Sequence, residues 1–339
     1  MVKKPFKGNY LTFEVRASYD SKTDTIHLTT KDKDIITKNG FNVALNSGRD
    51  AEYALRTLMI EEGLIPKENE IQYLPNKASY RDSPSHHIRN IFPLGIYGND
   101  EEATWDCLSS PNMFILGQSG SGKSVIQRNI IFHCLQNSDQ WMFLGIDLKQ
   151  VELTPYKKYD PTVMDVATTM HETAELLRYA YQEMMLRYKE LEQRGLNNIL
   201  DMENPYKSIM IMFDEVLMFL APLLSTTEEA LKENELKSEI SDLLLKLSGL
   251  GRAAGIHLVF ATQRLYTDAI SERLLNNCST RIATGRLDLL NSVALLGNDR
   301  AAKLDGEIRG RGHIKHYNTG RDFQAYFAPI DYLDGLSKK

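Results

Sequence analysis

The sequence predicts an α/β fold built on a parallel β-sheet, together with a small α+β region at the N-terminus. Beyond residue 90, short apolar runs alternate with long helical patterns, and the first run leads straight into a glycine-rich turn. The runs lack the period-two alternation of half-exposed strands, which is typical of strands that helices cover on both faces. They are Met113–Leu116, Trp141–Ile146, Ile209–Phe213 and His257–Ala261.

The N-terminal region shows a different pattern. Two short segments, Tyr10–Val15 and Thr25–Leu28, flank a turn-rich stretch and predict a β-hairpin. An amphipathic helix is expected over Ala51–Glu62, before a glycine and a proline that would end it. Because the composition then turns polar up to residue 90, we predict an accessory α+β region of residues 1–88 and a main domain of residues 89–339.

Composition narrows the class of protein. The 339 residues include 45 acidic and 40 basic side chains, for a formal charge of -5. This excludes a histone-like protein, and a nucleic-acid partner requires positive charge concentrated on one surface. The cysteines are too few and too scattered for a disulfide framework or a zinc site. No apolar run reaches the roughly 20 residues of a membrane span, so we expect a cytoplasmic protein with no membrane segment of its own.

Two helical segments follow the second buried strand. Apolar residues recur at helical spacing over 167–191, where Thr169 and Glu172 are placed to form a capping box and Gly195 to end the helix. The stretch 225–242 is rich in glutamate and predicts a solvated helix or a surface insertion.

The most specific motif follows the first buried strand and matches G-x-x-x-x-G-K-[ST], the phosphate-binding P-loop. It consists of Gly117, Gln118, Ser119, Gly120, Ser121, Gly122, Lys123 and Ser124. Glycines let backbone N–H groups wrap a phosphate, and the N-terminus of the following helix favours negative charge. Lys123 is expected to reach the β- and γ-phosphates of ATP, and the Ser124 hydroxyl to ligate Mg²⁺.

Polar residues end two later strands, at the edge where open α/β sheets bind ligands. Asp214 and Glu215 follow Ile209–Phe213. We expect Asp214 in the Mg²⁺ shell and Glu215 as the general base that polarises the attacking water, so the pair indicates hydrolysis. Gln263 follows His257–Ala261 and is predicted to hydrogen-bond the γ-phosphate or the attacking water.

Together these motifs resemble the FtsK/SpoIIIE family of P-loop DNA-translocating ATPases, with similarity over residues 93–327. The segment Gly117–Val125 is similar to the family's Walker A motif, which adds Val125 to the expected nucleotide contacts. The most specific segment is Gly251–Arg264, similar almost throughout to the family's Arg-Ala-Ala-Gly-Ile-His-Leu-Val-x-Ala-Thr-Gln-Arg. Further similar segments are Gly145–Lys149, Val151–Leu153, Glu183–Tyr188 and Thr280–Ala283.

The resemblance implies a RecA-like motor domain that forms a hexameric ring, binds ATP between subunits and acts on double-stranded DNA. It also implies that Arg252 acts in trans as an arginine finger, placing positive charge against the γ-phosphate. The chain departs from the family where Leu148 replaces a proline and Leu275 replaces a lysine near the DNA. Arg273 and Arg264 are the nearest basic substitutes.

Several functions remain open from sequence. A compact motor carried by a phage or mobile element, translocating double-stranded DNA, is the first interpretation. Conjugative coupling, viral genome packaging and type VII-like protein secretion use the same motor chemistry. The N-terminal region is expected to serve as a ring collar or adaptor-docking module. The run Arg309–Gly312 has two interpretations, a DNA contact or a simple turn, and we favour the turn.

Overall fold

The computed structural model describes the backbone of three N-terminal strands and, with side chains, residues 74–98, 101–160, 164–265, 270–329 and 332. The chain divides into two compact units, Met1–Tyr73 and Leu74–Lys339. Residues 74–88, which the sequence assigns to the accessory region, therefore lie in the second unit. The boundary after residue 88 stays a prediction.

The first unit contains a three-stranded antiparallel sheet. Its strands are β1 (Val2–Gly8), β2 (Leu11–Asp20) and β3 (Thr25–Thr30), paired in that order. The predicted hairpin corresponds to β2 and β3, which are paired from Val15 opposite Thr30 to Asp20 opposite Thr25. The predicted helix Ala51–Glu62 lies outside the described residues.

The second unit is built on an eleven-stranded sheet. Its strands are β4 (Ala78–Ser79), β5 (Ile91–Ile96), β6 (Glu102–Asp106), β7 (Asn112–Gly117), β8 (Trp141–Ile146), β9 (Met164–Ala167), β10 (Ser208–Phe213), β11 (Ile256–Thr262), β12 (Thr280–Thr284), β13 (Arg311–His316) and β14 (Thr319–Phe327). The α-helices described for this unit are α1 (Lys123–Gln136), α2 (Met170–Arg194), α3 (Leu217–Leu220), α4 (Glu228–Leu250), α5 (Glu272–Asn276) and α6 (Leu289–Leu296).

The strand order is β6-β5-β14-β13-β12-β7-β11-β10-β8-β9, with β4 paired to β14 outside this path. From β12 to β9 every pair is parallel, whereas the strands from β6 to β13 form an antiparallel half. The four strands predicted from sequence are β7, β8, β10 and β11, and the predicted α/β class is confirmed. Because β11 lies between β7 and β10, it separates the strand that precedes the glycine-rich loop from the strand that precedes Asp214.

Two apolar clusters cover the two faces of this sheet. One combines α2 and α4 with alternate strand residues such as Ile211, and the other combines α1 with the antiparallel half and residues such as Met212. Strands β7, β10 and β11 are buried along their whole lengths. The sequence pattern of uninterrupted apolar runs therefore has its expected cause, which is coverage on both faces.

Helix α2 begins and ends as predicted. The Thr169 hydroxyl accepts a hydrogen bond from the Glu172 N–H, the Glu172 carboxylate accepts one from the Thr169 N–H, and Gly195 ends the helix at φ 66°. The glutamate-rich stretch starts α4, whose outer face is exposed while residues such as Leu244 enter the core. A bidentate Arg178–Glu239 ion pair, both side chains being largely exposed, joins the two helices.

Candidate functional site

The glycine-rich loop connects β7 to α1 at the carboxyl edge of the parallel strands. Gly120 and Gly122 have φ values of 79° and 114°, a region that glycine occupies at no steric cost. A Cβ atom at Gly122 would lie 2.8 Å from the Cα of Gly310, so close backbone packing also excludes a larger residue. The backbone thus has the conformation that a phosphate cradle requires.

The ends of β12 and β13 hold this loop from one side. The hydroxyls of Ser121 and Thr284 are 2.7 Å apart, and the Gly310 N–H donates to the Ser121 carbonyl at 3.1 Å. A Cβ at Gly117 would lie 1.8 Å from Thr284 Oγ1. The favoured turn is present at residues 309–310, but its packing against the glycine-rich loop was not predicted from the sequence. The glycine spacing of that run was the available indication.

Lys123 and Asp214 form a buried ion pair, with 3.0 Å between the ammonium nitrogen and Oδ1. The same ammonium group donates to the Asp214 carbonyl at 3.2 Å, and the Gln127 amide nitrogen lies 3.5 Å from Oδ1. The structure therefore brings the predicted phosphate lysine and the predicted metal-shell aspartate together. Removing one member of such a pair would leave a buried charge without its partner.

Glu215 is held by the end of β11. The Thr262 hydroxyl donates to Oε1, and the backbone N–H of Gln263 donates to Oε2 at 3.2 Å. The Gln263 side chain is exposed and borders the same cleft as Lys123 and Asp214. The expected base and the expected γ-phosphate contact are therefore directly connected.

Asp147 organises the loop that follows β8. Its side chain is 1% exposed, and Oδ2 accepts from the backbone N–H groups of Glu152, Leu153 and Thr154. This arrangement carries Lys149 and Glu152 to the cleft, as its lining shows. Leu148, at the position of the family's proline, packs against the apolar core.

Arg252 is not brought to this site. It is exposed in the 3₁₀ turn Gly251–Ala254, at the amino edge directly before β11. Because β11 spans seven residues, its ends are roughly 20 Å apart at about 3.3 Å per residue. Arg252 thus lies at the edge of the sheet opposite the loop of its own chain.

The cleft around the glycine-rich loop has a volume of about 1270 Å³ and is bordered by Ser124, Val125 and most of the loop. Mg²⁺ is usually held by one or two carboxylates together with substrate phosphates and water. Ser124 and Asp214 offer oxygen donors here, and no group of three or more His, Cys, Asp or Glu suited to a metal occurs among the described residues. The donor set therefore fits a Mg²⁺ ion that binds together with ATP.

Comparison with solved structures identifies the class of protein. The conjugation coupling protein TcpA of pCW3, in a monomer form with ATPγS, has a TM-score of 0.69 at 26% identity, over 77% of this chain and 72% of that one. ATPases 2 and 3 of EssC from Geobacillus thermodenitrificans have a TM-score of 0.64 at 19% identity, over 79% of this chain and 51% of that one. The fold and site define an ATP-binding RecA-like P-loop ATPase domain.

Sequence comparison gives the family. The FtsK/SpoIIIE family model matches residues 77–266, more than half of the chain, and the chain belongs to the FtsK/SpoIIIE family. The DNA translocase FtsK of Streptococcus pneumoniae is 30% identical over 226 residues, or 63% of this chain and 28% of that protein. The DNA translocase FtsK of Streptomyces coelicolor is 29% identical over 243 residues, or 64% of this chain and 25% of that protein. The chain therefore spans little more than a quarter of these relatives. Within the described residues, no helix has the length and apolarity to cross a membrane.

Proposed function

We propose that this protein is an ATP-driven translocase on double-stranded DNA that works in the cytoplasm as a hexameric ring. Its membership of the FtsK/SpoIIIE family supports the motor class. The observation that carries the proposal is the contact between Glu215 and the end of β11. From there the chain continues through Gln263 and Arg264 to α5, the helix that contains Arg273 and the family's lysine position near DNA. A structural change at the hydrolysis site can therefore be transmitted to that helix along a short stretch of backbone.

Each residue of the site has a separate role in hydrolysis. Backbone N–H groups of the glycine-rich loop bind the β-phosphate, and Lys123 moves from its Asp214 contact to the β- and γ-phosphate oxygens. Ser124 and Asp214 would hold a Mg²⁺ ion, which would supply positive charge to the phosphates. Glu215 orients and deprotonates the attacking water, while Gln263 contacts the γ-phosphate or that water.

The position of Arg252 supports the proposed ring. Since Arg252 and the glycine-rich loop lie at opposite edges of the same sheet, this arginine serves only a nucleotide bound by a neighbouring subunit. There it stabilises the negative charge that develops during phosphoryl transfer.

Contact with DNA is assigned to exposed basic residues after β11. Arg264 and Arg273 are exposed, whereas Leu275 packs against the core and is not available for DNA. Phosphate contacts of this kind bind without regard to sequence, and they weaken steeply as salt increases.

A second candidate is conjugative coupling, which TcpA favours by name and by its 26% identity over 72% of its own chain. Both functions predict DNA-stimulated hydrolysis. A mating assay in the native host, with Glu215→Gln replacing the wild-type protein, distinguishes them because only a coupling motor is needed for DNA transfer. The secretion ATPases share the fold at lower identity, which is no support for secretion.

The test of the proposal is the ATPase rate with and without duplex DNA, over about 50 to 200 mM salt. We expect stimulation at low salt that fades as salt rises, and no turnover at any salt for Lys123→Ala. An ATPase that is indifferent to duplex DNA under all these conditions would contradict the DNA motor. A response to a secreted peptide instead would favour the secretion alternative.

A further inference from the structure

The cleft extends well beyond the glycine-rich loop, into the antiparallel half of the sheet. Strand β13 starts and strand β14 ends at the same edge as β12, as the pairing of Thr284 with Gly312 and of Arg311 with Gln324 shows. This brings Arg309 and Phe327 to the border of the cleft that also contains Lys123. Both residues lie outside the segment that matches the family, which is residues 77–266.

The direction in which a nucleotide lies follows from the strand order. The groups assigned to the attack on the γ-phosphate, Glu215 and Gln263, follow β10 and β11, which lie on one side of β7. Strands β12, β13 and β14 lie on the other side of β7. If the γ-phosphate faces β10 and β11, the α-phosphate and the nucleoside extend towards β13 and β14. The volume of about 1270 Å³ exceeds the roughly 300 to 1,000 Å³ of most small-molecule sites, so it accommodates a whole nucleotide.

Phe327 is an exposed aromatic residue whose backbone belongs to a paired strand. Its side chain is 57% exposed, yet its backbone is fixed because Tyr326 and Phe327 pair with Ala78 and Ser79 of β4. Ser79 borders the cleft as well. An exposed aromatic ring at the border of a nucleotide cleft offers the flat surface on which a base stacks.

Arg309 supplies positive charge beside the phosphate loop. Its carbonyl accepts from the buried Gln324 amide at 2.9 Å, and the next residue, Gly310, donates to Ser121 within the loop. The backbone at Arg309 and Gly310 is thus held by β14 on one side and by the glycine-rich loop on the other, while the Arg309 side chain is exposed at the cleft. A guanidinium at this place can pair with a phosphate oxygen.

We propose that the antiparallel half forms the nucleoside-binding wall of the ATP site, where the adenine base stacks on Phe327 and Arg309 contacts the α-phosphate. This inference rests on the proposed ATP site and deepens it. The opposite border, which includes Val151, serves as the enclosing side of the cleft.

The test compares two probes by calorimetry, ADP and inorganic tripolyphosphate, on the full chain. Tripolyphosphate has the phosphates but no base. We expect Phe327→Ala to weaken the binding of ADP about tenfold, since losing a base–aromatic stack costs about 1 to 3 kcal/mol. The affinity for tripolyphosphate should not change. Phe327→Tyr should keep the affinity for ADP. Arg309→Ala should weaken both probes about tenfold. Leu289→Ala, which alters a side chain 58% exposed and not on this cleft, is the matched control and should change neither.

Three results overturn the inference. ADP affinity that survives Phe327→Ala removes the stacking surface, and an equal loss of both probes in that variant indicates structural damage rather than base recognition. A selective loss of ADP in Val151→Ala, with Phe327→Ala unchanged, places the base on the opposite side. Failure of the proposed ATP site looks different, because the wild-type protein would then bind neither probe and Lys123→Ala would make no difference. Failure of the DNA motor appears only in the ATPase assay with duplex DNA.

Discussion

The two edges of the parallel strands are built in opposite ways. At the carboxyl edge, glycines with positive φ and the buried Lys123–Asp214 pair border an open cleft. At the amino edge, polar side chains are buried and bonded to backbone groups. Asn112, for example, donates to the carbonyls of Ser248 and Asn277 and accepts from the Leu258 N–H.

The groups that take part in the chemistry thus lie at one edge of the sheet, and the groups that support the strands lie at the other. The carboxyl edge places unsatisfied and chargeable groups where a ligand can complete their bonding, as open α/β sheets generally do. At the amino edge, the side-chain polar atoms of Asn112 are bonded inside the protein, whereas one ring nitrogen each of His133 and His257 is buried without a partner. Because these groups are buried, the edge acts as a fixed base for the strands. Arg252 lies at the same edge but is exposed. In the proposed ring, an arginine at this fixed edge would keep its position while the cleft of the neighbouring subunit changes.

The largest expected effect is at the carboxyl edge. Glu215→Gln removes the general base but keeps the size of the side chain and its contact with the Gln263 N–H. We expect the rate of ATP hydrolysis to fall about 100- to 10,000-fold while ATP affinity stays within a few fold. Single-turnover hydrolysis and equilibrium binding measure the two quantities.

Glu203→Gln, at an exposed glutamate in a loop before β10, is the control for the loss of one carboxylate and should leave both quantities unchanged. Normal turnover in Glu215→Gln would refute the assignment of Glu215 as base. The water would then have to be activated by another group of the carboxyl edge.

The second prediction concerns the exposed residue of the amino edge. Arg252→Ala should lower the ATPase rate about 1,000-fold or more when all subunits carry it, because an arginine finger stabilises the transition state by that order. In mixtures with wild-type protein, activity should fall faster than the fraction of variant, since each altered subunit disables a neighbour. Titrating variant into wild type at constant total protein measures this dependence.

Arg194→Ala is the matched control, because Arg194 is also exposed but is paired with Glu190 within α2. A loss of activity strictly proportional to the fraction of Arg252→Ala would show that this arginine acts within its own subunit or only on stability. That outcome would break the functional contrast between the two edges.

Much of the parallel half could be predicted from the sequence. Burial on both faces gives continuous apolar runs, so β7, β8, β10 and β11 could be predicted. The glycine-rich motif indicated the end of β7. The capping box of Thr169 and Glu172 is a local motif, and it defined the start of α2.

The antiparallel half could not be predicted, because its pairing depends on contacts between distant parts of the chain. Segment 78–79 pairs with residues 326–327. Tyr80 is fully buried, but the residues around it in the sequence are polar, so its burial could not be predicted. For the same reason sequence analysis did not find Thr284 and Gly310 beside the phosphate loop. Their role depends on register between β12 and β13, which local composition does not specify.

The smallest expected effect concerns stability at the fixed edge, where two buried histidines lie. His257 Nδ1 is 3.2 Å from the Pro111 carbonyl and His133 Nε2 is 3.2 Å from the Arg89 carbonyl. The other ring nitrogen of each is buried without a hydrogen-bond partner. Burial is the main reason that the pKa of His257 is lowered to about 4, and it likewise lowers the pKa of His133 to about 4.

Both pKa values lie below the roughly 6.5 of an unfolded histidine, so the unfolded chain binds protons first as pH falls. The stabilisation is complete above about pH 6.5 and is lost progressively down to about pH 4. We expect each histidine to lower the free energy of unfolding by roughly 2 kcal/mol between pH 7 and pH 5, measured by urea denaturation. His257→Gln should reduce this pH dependence by about half, whereas His171→Gln, at an exposed position on α2, should leave it unchanged. If the free energy of unfolding depends on pH in His257→Gln as it does in the wild-type protein, then His257 is protonated in the folded state without cost. The two edges would then not differ in rigidity.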